Sequence, residues 1–132
     1  MIVLDTHVLV WLDAGHRRLG GEARRVIDLA LARDELAVSA ITFWEVAQLQ
    51  LKQRLRLRQS TASWRQELLS RGLVEIAVDG QIGILAAGLT SLTADPADRL
   101  MVATALSGAT LVTADTNLLE WPSDLSRIDA AE

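Results

Sequence analysis

Short apolar runs that alternate with longer amphipathic stretches constrain the fold of this chain more than any other feature. The run Ile2–Leu4 is a candidate buried strand, residues 21–34 carry apolar side chains at helical spacing, and residues 36–38 form a second candidate strand. Strands and helices that keep alternating in this way pack as a parallel sheet covered by helices. The pattern therefore predicts the α/β class, as a three-layer α/β/α sandwich with a mostly parallel central sheet of about five strands.

Candidate helix caps and further apolar runs predict the later elements. Helices are expected after the candidate caps Ser39, Thr61, Asp79 and Asp95. The expected later strands comprise residues 74–78, 110–112 and 126–128, the last of them at an edge of the sheet. No repeat, low-complexity tract or linker interrupts the pattern, so residues 1–132 are expected to form one domain.

Composition narrows the chemistry that the chain can use. Cysteine is absent, which excludes disulfides, thiolate metal sites and cysteine nucleophiles. No apolar run approaches the ~20 residues of a membrane-spanning helix. The first residues also lack the features of a secretory signal. We therefore expect a cytoplasmic protein without a membrane partner.

The charge of the chain bears on whether it could bind a nucleic acid. The formal net charge is −4, which by itself argues against binding a phosphate backbone. That argument is weakened because the basic residues are clustered and because several acids could be neutralised by divalent cations. The clusters comprise Arg17, Arg18, Arg24 and Arg25 in the first and Lys52, Arg54, Arg56 and Arg58 in the second. The second cluster is either a solvated helix end or a site for nucleic-acid phosphates.

Two acidic residues lie where ligands usually bind in such a fold, beyond the carboxyl ends of the strands, and two more lie in helices nearby. Asp5 directly follows the first strand, and Asp115 follows the strand at residues 110–112. Asp98 lies in the first turn of the helix that enters this later strand. Glu45 lies about one turn into the helix after the second strand, from which it could reach the same edge of the sheet.

Each of these acids also has a purely structural explanation. Asp5 and Asp115 could cap the helices that follow them. Asp98 could stabilise its helix dipole, and Glu45 could be a solvated helix residue. As a set, however, converging carboxylates repel by on the order of 4 kcal/mol per pair at about 4 Å. Protons or hard divalent cations such as Mg²⁺ or Mn²⁺ would relieve this repulsion, and phosphodiester cleavage is the reaction natural to such a site.

Four motifs that carry these acids occur in order along the chain. They are IVLDTHVLVWL at residues 2–12, VSAITFWEVA at 38–47, DPADRL at 95–100 and LVTAD at 111–115. With these motifs the chain resembles the PIN-domain nucleases, and among them the VapC-type toxins of bacterial toxin–antitoxin pairs. The similarity covers essentially the whole chain. The resemblance implies a parallel α/β/α sandwich and an endoribonuclease that depends on Mg²⁺, with Mn²⁺ as a substitute.

The resemblance also implies roles for individual residues. Asp5 and Asp98 would be the principal metal ligands, Glu45 would complete the site or orient a water, and Asp115 would bind a second metal or act through water. These four residues would form the catalytic set. The hydroxyl groups of Thr6, Ser39 and Thr113 would contact these acids and not the metal itself. Asp95 remains a helix cap.

The partners implied by the resemblance are RNA as substrate, a VapB-like antitoxin whose tail blocks the active site, and a second copy of the chain. Apolar helix surfaces that include Trp44, Leu51 and Trp64 would suit such a homodimer. The chain departs from the related sequences in one place. They usually carry a proline and a histidine shortly before the Asp-Pro pair, whereas residues 89–94 of this chain contain neither. None of the four acids is lost through this departure. Its expected effect is therefore on how the substrate is positioned around the site.

Two other kinds of protein remain as alternatives. A phosphotransfer domain, either a haloacid-dehalogenase-like phosphatase or a response receiver, also has an aspartate after the first strand. The phosphatase needs a second aspartate where this chain has His7, and the receiver needs a late lysine, whereas Lys52 is the only lysine here. The other alternative is a catalytically silent PIN-like binding module. A metal titration would distinguish it, because such a module should have no Mn²⁺ site that depends on Asp5.

Overall fold

Five parallel strands form the sheet of the computed structural model, which describes residues 1–132. The strands are β1 (Ile2–Leu4), β2 (Leu36–Ser39), β3 (Val74–Ile76), β4 (Thr110–Thr113) and β5 (Arg127–Asp129). They lie in the order β3-β2-β1-β4-β5, and every neighbouring pair is parallel. The predicted α/β class and parallel sheet are therefore confirmed, with β5 at an edge as expected.

Seven helices connect the strands and cover both faces of the sheet. They are α1 (Thr6–Ala14), α2 (Gly21–Ala32), α3 (Ile41–Leu51), α4 (Thr61–Ser70), α5 (Gly80–Ala87), α6 (Pro96–Leu106) and α7 (Thr116–Leu119). Successive strand residues face opposite sides of a sheet. Leu4 and Val38 accordingly pack in the core formed with α1–α4, whereas Val3 and Ala37 pack against α6 and α7. The predicted three-layer α/β/α sandwich follows from these two cores.

The direction of chain progression reverses between β1 and β4. From β1 the chain adds β2 and β3 on one side, and it then returns to place β4 and β5 on the other side. The backbone N–H of Asp5 donates to the carbonyl oxygen of Val112 at 3.0 Å, so the carboxyl ends of the two central strands lie side by side. Such a switch point leaves a crevice beyond the strand ends, which is where α/β proteins bind ligands.

Several predicted boundaries were wrong by a few residues. The cap of α4 is Ser60 rather than Thr61, because the Ser60 hydroxyl accepts a hydrogen bond from the Ser63 N–H at 3.1 Å. The helix predicted over residues 21–34 ends at Ala32, since Asp34 adopts a left-handed backbone with φ of 59°. The edge strand β3 ends at Ile76 instead of residue 78, and β5 begins at Arg127.

The caps predicted at Asp79 and Asp95 are confirmed, since their carboxylates accept hydrogen bonds from backbone N–H groups of α5 and α6. Pro96 occupies the first turn of α6, where the missing N–H costs nothing. This cap fixes where α6 begins, and therefore where Asp98 is placed relative to β4. No helix of the structure is both long and apolar enough to span a membrane.

Candidate active site

The carboxyl ends of β1 and β4 open into a pocket of about 280 Å³ that contains all four acidic residues singled out from the sequence. Asp5 directly follows β1 and Asp115 lies two residues after β4, whereas Glu45 extends from α3 and Asp98 from the first turn of α6. The structure therefore brings together four carboxylates that are distant in sequence, at the switch point of the sheet.

Asp5 is the most buried of the four, with 6% of its surface exposed. It occupies the cap position of α1, but its side chain accepts no hydrogen bond from that helix. Instead, Oδ2 accepts a hydrogen bond from the Thr113 hydroxyl at 2.7 Å, and Oδ1 lies 3.5 Å from Nδ1 of His7. Burial raises the pKa of Asp5, although His7 and Thr113 oppose the shift. The end of β4 thus holds this carboxylate, which is not used to cap the helix.

Glu45 is held by two threonines. The Thr6 hydroxyl donates to its Oε1 at 2.6 Å, and the Thr6 and Thr42 hydroxyl oxygens lie 3.0 Å apart. A hydroxyl group has a single proton to donate. Because the Thr6 hydroxyl donates to Glu45, it accepts the hydrogen bond that it shares with the Thr42 hydroxyl. Burial raises the pKa of Glu45, and the negative charges of Asp5 and Asp95 add to the shift. This short chain of hydrogen bonds ties α1 to α3 beneath the pocket.

Asp98 is half-buried, and its pKa is strongly raised. Burial is the main cause that raises its pKa to about 7, and the charges of Asp95, Asp5, Glu45 and Asp115 add to the effect. Asp95 itself is exposed and its Oδ1 accepts a hydrogen bond from the Ala97 N–H at 2.9 Å, as a cap does. It contributes charge to the pocket without lining it.

Asp115 has both a structural and a pocket-lining position. Its Oδ1 accepts a hydrogen bond from the Asn117 N–H at 2.9 Å and so caps α7. Its own N–H donates to the Thr113 hydroxyl oxygen at 3.0 Å, so Thr113 connects Asp115 to Asp5.

Ser39 differs from the two threonines predicted beside it. Its hydroxyl accepts a hydrogen bond from the Ile41 N–H at 3.3 Å and makes no hydrogen bond to any of the four acids. The expectation that Ser39 supports the carboxylates is therefore not met, because its hydroxyl is engaged at the start of α3. Thr6 and Thr113 do contact acids, as described above.

None of the four carboxylates forms an ion pair with a lysine or an arginine. No lysine or arginine lies within 4 Å of the four carboxylates, and His7 beside Asp5 is their only basic neighbour at ion-pair distance. No three acidic or histidine side chains converge closely enough to hold a metal ion as they stand. The donor set is nonetheless made of carboxylate oxygens, which are the ligands that Mg²⁺ and Mn²⁺ prefer. The raised pKa values of Asp5, Glu45 and Asp98 reflect the desolvation and repulsion that a bound cation would relieve.

Six further residues line the pocket, and three of them have polar or aromatic side chains: His7, Trp11 and Arg54. His7 and Trp11 are four positions apart on α1 and share one helix face, and their rings meet edge to face at 5.0 Å. The His7 Nε2 accepts a hydrogen bond from the Ala114 N–H at 3.1 Å, so the proton of the neutral ring lies on Nδ1, towards Asp5. The spacing of four residues from His7 could have indicated Trp11, and Arg54 belongs to the basic cluster that the sequence offers as a possible site for nucleic-acid phosphates.

Comparisons with known proteins agree with this geometry. The PIN domain family matches residues 2–122. Ribonuclease VapC22 of Mycobacterium tuberculosis is 38% identical over 119 residues, which cover 89% of this chain and 88% of the relative.

Two solved structures share the fold at lower identity. A toxin-antitoxin complex from Klebsiella pneumoniae matches with a TM-score of 0.68 and 20% identity, over 98% of each chain. VapBC-1 from nontypeable Haemophilus influenzae matches with a TM-score of 0.70 and 22% identity, over the full length of both chains. Fold, family match and relative together establish that this chain belongs to the PIN-domain family, and within it to the VapC type.

Proposed function

We propose that the chain is a metal-dependent endoribonuclease that acts as the toxin of a toxin–antitoxin pair, with residues 1–132 working as one nuclease domain. The observation that carries the proposal is the group of four carboxylates around one pocket without a lysine or arginine partner. A folded chain that needed these residues only for structure would have little reason to keep four desolvated charges together. The name of the relative, a ribonuclease, supports the same activity.

The four acids of the pocket differ in how the protein places them. Hydroxyl donors fix Asp5 and Glu45, while Asp98 and Asp115 extend from the starts of two helices. We assign these four residues as the ligands of Mg²⁺, for which Mn²⁺ can substitute. A bound ion of this kind polarises a phosphate and lowers the pKa of a water. Without a cation, the pocket would repel the phosphates of an RNA strand.

We also propose two protein partners. One is an antitoxin, because a solved structure that shares this fold is a toxin–antitoxin complex. The other is a second copy of this chain, because Trp44, with 55% of its surface exposed, lies in an apolar hollow with Ile41, Val78 and Leu100. An exposed apolar patch of this kind usually marks an interaction site. Trp64, which we had expected on this surface, is buried against Phe43 and donates its indole N–H to Asp13. We place the activity in the cytoplasm, where RNA is available.

The test of the nuclease is cleavage of a mixed RNA pool by purified protein with Mg²⁺ or Mn²⁺. Parallel samples contain excess EDTA, the double variant Asp5→Asn, Asp98→Asn, or the control Asp28→Asn, Asp124→Asn, which removes two exposed surface carboxylates. We expect discrete cleavage by wild type and control only, and only with metal, because the control leaves the pocket intact.

Two results would contradict the proposal. Cleavage that survives in the Asp5, Asp98 double variant would come from a contaminant or from another site. Absence of both cleavage and Mn²⁺ binding would instead favour a binding module whose acids are structural.

A further inference from the structure

An extended segment between α3 and α4 presents three arginines to solvent at every second position. Arg54, Arg56 and Arg58 are exposed, whereas Leu55 and Leu57 between them are half-buried and pack against the larger core. Residues 55–57 have neither helical nor strand structure. The packed leucines therefore fix the direction in which the arginines point, as the alternation of an extended chain requires. We call these three residues the arginine track.

The arginines of the track have no partner within the protein. None of them makes an ion pair or a side-chain hydrogen bond, in contrast to Arg65 and Arg71, which are paired with carboxylates. The two carboxylates that line one hollow with Arg56 and Arg58 are already engaged. Asp13 accepts from Trp64 and pairs with Arg71, and Glu67 is bound by Gln59 and Arg71. The track is thus a row of free cations.

The track begins at the acidic pocket and leads away from it along α1. Arg54 and Leu55 line the pocket together with Val10 and Trp11. Arg56 and Arg58 line the adjoining hollow beside Ala14, at the end of the same helix. A strand that lay on the track would reach the pocket at Arg54.

We infer that the arginine track binds the phosphates of single-stranded RNA next to the bond that is cleaved, and so directs the strand into the acidic pocket. This inference rests on the proposed nuclease function, to which it adds a substrate-binding surface. Arginine matches a phosphate through two parallel N–H donors. The track also explains how an acidic protein could bind RNA, since its free cations are concentrated beside the site.

The experiment measures binding without cleavage. A fluorescein-labelled single-stranded RNA of about 12 nucleotides, within the usual range of single-strand sites, is titrated with protein in EDTA, and anisotropy is recorded from about 50 to 200 mM NaCl. The variant Arg56→Gln, Arg58→Gln is compared with Arg25→Gln, Arg33→Gln. The control removes two exposed arginines, one on α2 and one directly after it, and changes the net charge equally.

We expect the track variant to bind several-fold more weakly than the control and to have a shallower salt dependence. The slope of log K against log salt is negative, and each lost phosphate contact to a single strand makes it shallower by about 0.7. The loss of two contacts should therefore make it shallower by about 1.4. Equal affinities and slopes for the two variants would overturn the inference. If in that case only the track variant fails to bind the antitoxin, the segment is a protein interface instead.

Failure of the track and failure of the nuclease can be told apart. Binding in EDTA does not depend on metal or turnover, so the slope difference would persist even if no RNA were cleaved. Conversely, metal-dependent cleavage by a protein whose track variant binds like the control would leave the proposed function intact and refute the track alone.

Discussion

Asp98 illustrates at the scale of one residue how the pocket opposes stability. Its pKa is raised from an ordinary value of 3.8 to about 7, mainly by burial and then by neighbouring carboxylates. The folded state therefore binds a proton that the unfolded state has released between these two pH values. By linkage, the contribution of Asp98 to the free energy of unfolding of the metal-free protein falls as the pH rises from about 4 to about 7.

Asp98→Asn should accordingly stabilise the metal-free protein while abolishing cleavage. At about pH 8 we expect a gain of about 1–2 kcal/mol, which allows for solvent screening of this half-buried group and for its favourable place near the start of α6. The gain should shrink at about pH 5, where the wild-type side chain is already protonated. Urea unfolding at both pH values measures it, with the exposed Asp28→Asn as the control. A variant no more stable than wild type at pH 8 would show that the pocket is not strained.

Thr113 is the residue through which the ends of β1 and β4 are joined. Its buried hydroxyl donates to Asp5 and accepts from the N–H of Asp115. Thr113→Val should weaken Mn²⁺ binding by about 10- to 100-fold, because a group that orients a metal ligand is lost. Stability should fall by about 1–2 kcal/mol, since Asp5 loses its donor in a buried place.

The matched control is Thr104→Val, which removes another buried hydroxyl whose partner is the Leu100 carbonyl of the same helix. Isothermal titration with Mn²⁺ separates the two variants. If both bind Mn²⁺ with wild-type affinity, Thr113 supports only the fold.

The sequence was sufficient to predict that the four acids line one pocket, because three of them are next to elements whose positions follow from general rules. Asp5 and Asp115 follow strands, and Asp98 follows a strong helix start at Asp95-Pro96. Their hydrogen-bond partners could not be predicted with equal accuracy. Ser39 and Thr113 both end strands, yet only Thr113 is turned towards the acids. That difference depends on how two strands are placed side by side, which no local pattern contains.

At the scale of elements, the start of α2 depends on close contact with the backbone that follows β5. The Gly20 N–H donates to the carbonyl oxygen of Ala130, and the Glu22 N–H donates to that of Glu132. A β-carbon at Gly20 would lie 2.2 Å from the carbonyl carbon of Glu132. The backbone after β5 thus supplies acceptors to the first turn of α2, whose N–H groups have no partner in the helix.

Gly20→Ala should therefore destabilise the protein by about 1–3 kcal/mol, because the segment after β5 must move away and lose these hydrogen bonds. The neighbouring Gly21→Ala is the control, since its β-carbon would meet nothing within 4 Å. That substitution should be neutral or stabilising by up to about 1 kcal/mol, as expected for glycine to alanine within a helix. Urea midpoints measure both, and equal midpoints would exclude the contact with the segment after β5.

Most elements could be predicted from the sequence, whereas their ends could not. The caps Asp79 and Asp95 gave correct helix starts, because a side chain that accepts from the first turn is a local signal. At α4, adjacent Ser60 and Thr61 offer equivalent hydroxyls, and only the backbone of the folded chain decides between them. The edge strand β3 ends at Ile76 because this residue pairs with Ser39, the last residue of its only neighbour β2.

At the scale of the whole molecule, the fold brings the apolar patch and the acidic pocket onto neighbouring faces of the same helix. Trp44 is exposed in the hollow formed with α6, and the next residue, Glu45, lines the pocket. The alternation of strands and helices was sufficient to predict the sandwich. It was not sufficient to predict which tryptophan is exposed, because Trp44 and Trp64 both lie in helices and only tertiary packing buries Trp64.

If a second copy covers this patch, each pocket borders the dimer interface. Trp44→Gln should then shift the protein towards monomer, with the dimer dissociation constant raised by about tenfold or more, because large aromatic residues dominate such interfaces. Leu29→Gln is the control, since Leu29 is similarly exposed, at 44%, but lies on α2. Light scattering over a dilution series measures the mass of both variants. A Trp44→Gln protein that remains as dimeric as the control would assign the patch to another partner, whereas a wild-type protein that is monomeric throughout would rule out the homodimer.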